Sequence, residues 1–190
     1  MVDLEERALW LSLGDSGAAL EDLDLEYLFG YWSRAAGPGP APKRSDIDPP
    51  LDLPDFLPTT ILFDVVRDAA GVFQTLRYRL IGTLLVEYAG RDPTGLTVEQ
   101  AFGAEFKQRD REIYGRVIGE HACYRGQRVS LVDRRQLFES YSRLVLPLHG
   151  DRSGTVDIVW CWIKFARMLD IHPEPSAGGS RALPLSPTRR

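Results

Sequence analysis

TTILFDVVRDAAGVFQTLRYRLIG, residues 59–82, reads as two strands and the turn between them. Its first ten residues are rich in β-branched and apolar side chains, which suit a pleated, half-buried surface. Asp68 to Gly71 (DAAG) supplies the turn. From Gln74 onward the sequence alternates, with Leu76, Tyr78 and Leu80 on one face and Arg77 and Arg79 on the other. Two strands joined by so tight a turn are antiparallel. Asp64 on the first strand then lies within reach of Arg77 or Arg79 on the second, a pairing that would fix the register.

Downstream, Thr83 to Ala89 (TLLVEYA) reads as a short helix with Thr83 as its cap and Gly90 as its end. Residues 91–97 form a loop. Between Val98 and Gly119, Phe102, Phe106, Ile113 and Val117 recur at near-helical spacing and predict one long amphipathic helix. Tyr124 to Asp133 and Leu137 to Leu148 follow as strands, the second with Leu144, Leu146 and Leu148 on one face. HGDRSG turns the chain into TVDIVWCWIKF, Thr155 to Phe165, the most strand-like segment of all.

Upstream, Leu20, Leu23, Tyr27, Leu28, Tyr31 and Trp32 form one apolar stripe and predict a helix over 20–36. Gly37 to Pro42 (GPGPAP) ends it, since proline cannot continue a helix and glycine favours its end. Asp48-Pro49 has the form of a cap and first helical residue. Residues 1–19 hold one short apolar cluster and predict no more than a loose helical turn. The element order is α+β: a five-stranded antiparallel sheet with helices covering one face. The organisation expected is an N-terminal extension at 1–19, a domain at 20–168, and a disordered tail at 169–190 rich in Pro, Ser, Gly and Arg.

A chain of 190 residues with 44% hydrophobic content can bury a core without a disulfide or metal staple. Net charge −4, with arginines spread along the chain, gives no basic face for nucleic acid. Cys123 and Cys161 are distant and lack CxxC spacing, so they read as reduced thiols. The acidic start MVDLEE is no signal peptide, and no run approaches the roughly 20 apolar residues of a membrane span. These features predict a cytoplasmic protein.

Gly14-Asp15-Ser16-Gly17 spells the run around the nucleophile of trypsin-like proteases, but every histidine (His121, His149, His172) follows it, and the chain is too short for two barrels. Asp46, Asp48, Asp52 and Asp55 sit in a Pro-rich run with no neighbouring histidine, and read as caps and turns rather than metal ligands. His121 and Cys123 are only two ligands. No catalytic or metal residue is assigned. Tyr88, Phe102, Phe106, Tyr114, Tyr141, Trp160 and Trp162 come from elements expected to face one another across helices and sheet, where they read first as ordinary core packing. A partly apolar ligand pocket would draw on Tyr88, Phe102, Phe106, Tyr114, Tyr141, Arg143 and Trp160. Leu23, Tyr27, Leu28, Tyr31 and Trp32 are the expected dimer surface, unless that stripe docks on the sheet.

Tyr31-Trp32, Pro42, Arg44, Asp46-Ile47-Asp48-Pro49, Leu57-Pro58, Asp64, Tyr78-Arg79-Leu80-Ile81-Gly82-Thr83, Gly90, Asp92, Thr94-Gly95 and Leu146-Pro147-Leu148, taken in order, resemble a bacterial family of short stand-alone PAS-like proteins. The likeness runs from about Leu20 to Phe165. It implies a PAS fold, with an N-terminal helix often on the sheet face opposite the other helices. It further implies a signalling sensor that binds a small molecule or pairs as a homo-oligomer. Haem and flavin branches are marked by an axial histidine or a reactive cysteine. Neither His121 nor Cys123 aligns with these, so the cofactor is unknown. With no effector domain after Phe165, output is expected through an effector partner or a homodimer. The alternative is a ligand-free interaction module.

Overall fold

The computed structural model describes residues 7–102, 108–130, 139–150 and 154–165. Six strands form one antiparallel sheet: β1 (Arg7–Leu11), β2 (Thr60–Arg67), β3 (Phe73–Ile81), β4 (Cys123–Ser130), β5 (Glu139–His149) and β6 (Val156–Phe165). Their spatial order is β1-β4-β5-β6-β2-β3. Five of the six are the strands expected. The sixth, β1, is a correction: Arg7–Leu11 is not a helical turn but an edge strand, paired with β4 from Arg7 opposite Gln127 to Leu11 opposite Cys123. A five-residue segment has too few alternations to declare itself, and only β4's open edge gives it partners.

The helices are α1 (Leu23–Ala36), α2 (Pro49–Asp52), α3 (Thr83–Ala89), α4 (Val98–Phe102) and α5 (Gln108–Glu120). The single long helix expected from Val98 to Gly119 is thus described as α4 and α5, with residues 103–107 outside the described set. Asp22 caps α1 by accepting from the amides of Asp24 and Leu25, and Gly37 ends it at φ 56°.

Both faces of the sheet are covered. Leu25, Leu28, Phe29 and Trp32 of α1 pack on Leu144, Leu146 and Leu148 of β5 and on Trp160 and Trp162 of β6. The Trp32 indole N–H donates to the Pro147 carbonyl at 2.8 Å and fastens α1 to β5. On the opposite face, Leu85 of α3, Val98 of α4 and Ile113 and Val117 of α5 pack on Phe63, Tyr124, Val145, Val159 and Cys161. Alternation along each strand sends successive side chains to the two layers.

The hairpin carries a bulge. Leu62 faces Leu80 and Phe63 faces Tyr78, so Arg79 is the extra residue. The bulge breaks the predicted alternation: Tyr78 is buried but Leu80 is exposed. Arg79 reaches Asp64 at 3.0 Å, the pairing expected from the hairpin. Both side chains are largely exposed, so the pair is worth at most about 1 kcal/mol.

Gly82, not Thr83, occupies the cap position of α3. Its amide donates to the Thr60 carbonyl at 2.7 Å, and a Cβ there would run into the carbonyl oxygens of Leu57 and Pro58. Glycine therefore lets α3 close against the 3₁₀ turn Pro54–Thr59 that leads into β2. Replacing Gly82 with Ala should cost at least about 3 kcal/mol in a urea titration. Gly90→Ala, at φ 69° with open space around it, should cost about 1–2 kcal/mol. Equal costs would show that the close approach at Gly82 is unimportant.

Candidate functional site

Among the described residues, the apolar layer between α5 and the sheet holds a buried ion pair. Arg143 of β5 donates from Nη2 to Asp110 Oδ1 of α5 at 2.9 Å. The residues are 6% and 9% exposed. Tyr114 follows Asp110 by four positions and shares its side of α5. The Arg143 guanidinium lies 5.9 Å from the Tyr114 ring centre and 5.3 Å from that of Tyr124. Phe63 packs against Tyr114 at 5.9 Å and against Tyr78 at 4.7 Å. Tyr114 also hydrogen-bonds Cys161 of β6.

Burial raises the Tyr114 and Tyr78 hydroxyls above the ordinary tyrosine range, and it pushes the Cys161 thiol up to about 11. All three are neutral at physiological pH, and Cys161 is not a thiolate nucleophile. Arg143 and Asp110 form the ion pair beside these groups. A buried pair of this kind contributes little net stability, because desolvation offsets the attraction, yet breaking it costs about 3–5 kcal/mol.

Of the predicted ligand residues, Tyr114 and Arg143 come together here. Tyr141 lies two residues from Arg143 on the same face of β5 and meets Phe165 at 6.4 Å. Tyr88 is half exposed on α3 and meets the same ring at 5.3 Å. Trp160 does not join them: it lies on the α1 face, edge-on to Tyr31 at 6.4 Å. Phe106 and the side chain of Phe102 lie outside the described residues. Asp110 escaped the sequence reading, although a carboxylate on the apolar stripe of a helix was the available signal.

Tyr88 and Phe165 line a groove of about 460 Å³ at the end of the sheet, with Thr59, Leu84, Glu87, Trp162, Ile163 and Lys164. Of the expected dimer surface, Leu28 and Trp32 are buried under α1 and Tyr31 is half-buried, whereas Leu23 (82%) and Tyr27 are exposed. The Tyr31 hydroxyl donates to Asp52 at 2.6 Å and accepts from the Asp48 amide. Asp46 accepts from the Lys43 amide. The Asp46 and Asp52 carboxylates thus serve local structure, as their sequence context predicts, whereas Asp48 precedes α2 without a side-chain cap bond. Among the described residues no group of three or more His, Cys, Asp or Glu could hold a metal ion, and no helix is long and apolar enough to cross a membrane.

His149 ends β5 beside His121, their rings edge-to-face at 5.2 Å. Both Nε2 atoms are buried, with no hydrogen-bond partner among the described residues. Burial, His121 and Lys43 depress the His149 pKa below 6.5, and Asp157 only partly opposes them. The native state thus prefers neutral His149, while the unfolded chain takes up the proton first. Stability is full above about pH 6.5 and falls as pH drops through the native pKa. His149→Gln should shrink the loss in urea midpoint between about pH 7.5 and about pH 5.5. An undiminished loss in the variant would contradict this assignment.

The family model described as a PAS domain matches residues 21–159. Neither curated proteins nor solved structures give a match.

Proposed function

This chain belongs to the PAS domain family, a family of sensory and regulatory modules, and from that premise we propose that it senses a small carboxylate-bearing molecule and acts through a partner or a homodimer. The observation that supports the reading is the Arg143–Asp110 pair, a buried guanidinium held by a carboxylate from a helix. Arginine presents a planar fork suited to carboxylates. Tyr114 and Tyr124 give its surroundings flat apolar surface. A ligand carboxylate would compete with Asp110 for the guanidinium and release α5 from β5. Such an exchange links ligand chemistry to the position of a helix, and a sensor needs that differential contact between two states. The sensing role requires no catalytic residue.

Thermal denaturation against a panel of small mono- and dicarboxylates tests this. A member present at a hundredfold its Kd should add about 2.7 kcal/mol to wild-type stability. Arg143→Gln should abolish the response. Asp110→Asn should retain it at lower ligand concentration, because the internal competitor loses its charge. A panel without effect on either wild type or Asp110→Asn, or one that stabilises Arg143→Gln equally, would end the proposal.

The exposed Leu23 and Tyr27, with Tyr27 stacked on Phe56 at 6.0 Å, favour a second reading in which this patch pairs two copies. Light scattering discriminates: a strict monomer at high concentration removes that reading.

A further inference from the structure

The central strand β6 changes from two ladder partners to one before it ends. Beside β5 it is paired along its whole length, with Tyr141 opposite Phe165. Beside β2 the ladder stops where Thr60 faces Trp162, because the 3₁₀ turn Pro54–Thr59 carries the chain away. Among the described residues, no strand pairs with β6 on that side beyond Trp162. The 460 Å³ groove runs along that stretch: Trp162, Ile163, Lys164 and Phe165 line it consecutively, and Thr59 marks the point where β2 begins. Its far wall is α3, with Leu84 and Tyr88 44% and 50% exposed.

An open strand edge flanked by exposed apolar side chains is a template for another strand. We propose that this groove receives an extended peptide segment of a partner protein, which adds to β6 along the line that β2 vacates. Backbone hydrogen bonds to the open edge would supply affinity, and alternate side chains would enter the apolar wall of Leu84, Tyr88 and Phe165. Charge narrows the partner. Lys164 is held by Asp22 at 2.8 Å and by Asp24 at 2.6 Å, and Glu87 stands on the wall. Lys164, the cation of the lining, is thus neutralised by two aspartates beside the groove, and Glu87 adds a carboxylate to the lining itself; the local balance is acidic, so the fitting peptide carries basic flanks. Neither Arg143 nor Asp110 lines the groove, so this proposal is independent of the small-molecule reading.

The test uses the full chain and fluorescein-labelled heptapeptides of alternating Val and Thr, flanked by Lys or by Glu. Lys-flanked peptides should bind saturably and about tenfold more tightly than Glu-flanked ones, with the difference shrinking as salt rises. Bound peptide should slow hydrogen exchange of amides within Ile163–Phe165. Methylating alternate peptide nitrogens should abolish binding in one of the two possible frames. The exposed position Leu84 tolerates change, so Leu84→Glu should fold and lose the peptide, whereas Arg143→Gln should keep it. The proposal is overturned by absent binding of the Lys-flanked peptides or by equal binding to Leu84→Glu. Indifference to methylation in both frames also overturns it, as does binding that leaves the exchange of every Ile163–Phe165 amide unchanged.

Discussion

The sheet exists as one body only because β6 pairs on both sides. The β2–β3 hairpin and the β1-β4-β5 group share no ladder with each other, and each meets β6, the last strand in sequence. Tyr141 to His149 line up on one flank of it and Thr60 to Asp64 on the other. The contacts that unite the fold therefore span most of the domain, and their loop-closure cost is met late in folding. Burial on both faces explains the composition of β6. Ile158, Trp160 and Trp162 serve the α1 layer while Val159 and Cys161 serve the α3–α5 layer, so the strand reads as a nearly continuous apolar run.

The same strand organises the chemistry. On one face Cys161 sits against Tyr114 beside the Arg143–Asp110 pair, and at the end of the strand Trp162 to Phe165 form the groove. The α1 face has a different character. It is closed by large apolar side chains and by the Trp32–Pro147 hydrogen bond, and Trp160 lies there in a packing role. The buried ion pair lies under α5 instead, where Arg143 ties the helix to β5 through Asp110.

Much of the architecture was legible because it rests on local signals. The DAAG turn and the GPGPAP break mark boundaries through backbone chemistry, and the β-branched and aromatic run TVDIVWCWIKF marks a buried strand, none of which needs a tertiary partner to be read. What escaped depends on distant neighbours. Arg7–Leu11 becomes a strand because β4 offers an edge, and Arg79 bulges where nothing in YRLIG announces it. Gly82 takes the cap because Leu57 and Pro58 crowd it from another segment. The site followed the same rule. Tyr114 and Arg143 stand out as aromatic and polar members of facing elements, whereas Asp110, a carboxylate on the apolar stripe of α5, shows its role only once β5 brings Arg143 opposite it. Trp160 was grouped with them because composition does not reveal which face of a buried strand a side chain takes.

The proposed sensing role stands on an Arg143 guanidinium that can trade Asp110 for a ligand carboxylate. Side-chain nitrogen NMR of Arg143, followed while small carboxylates are added, addresses it most directly. A saturable displacement of the Arg143 resonance, with Tyr114 and α5 amides moving at the same ligand concentration, is the predicted result. An Arg143 signal that stays fixed while the ligand saturates resonances elsewhere would contradict the account.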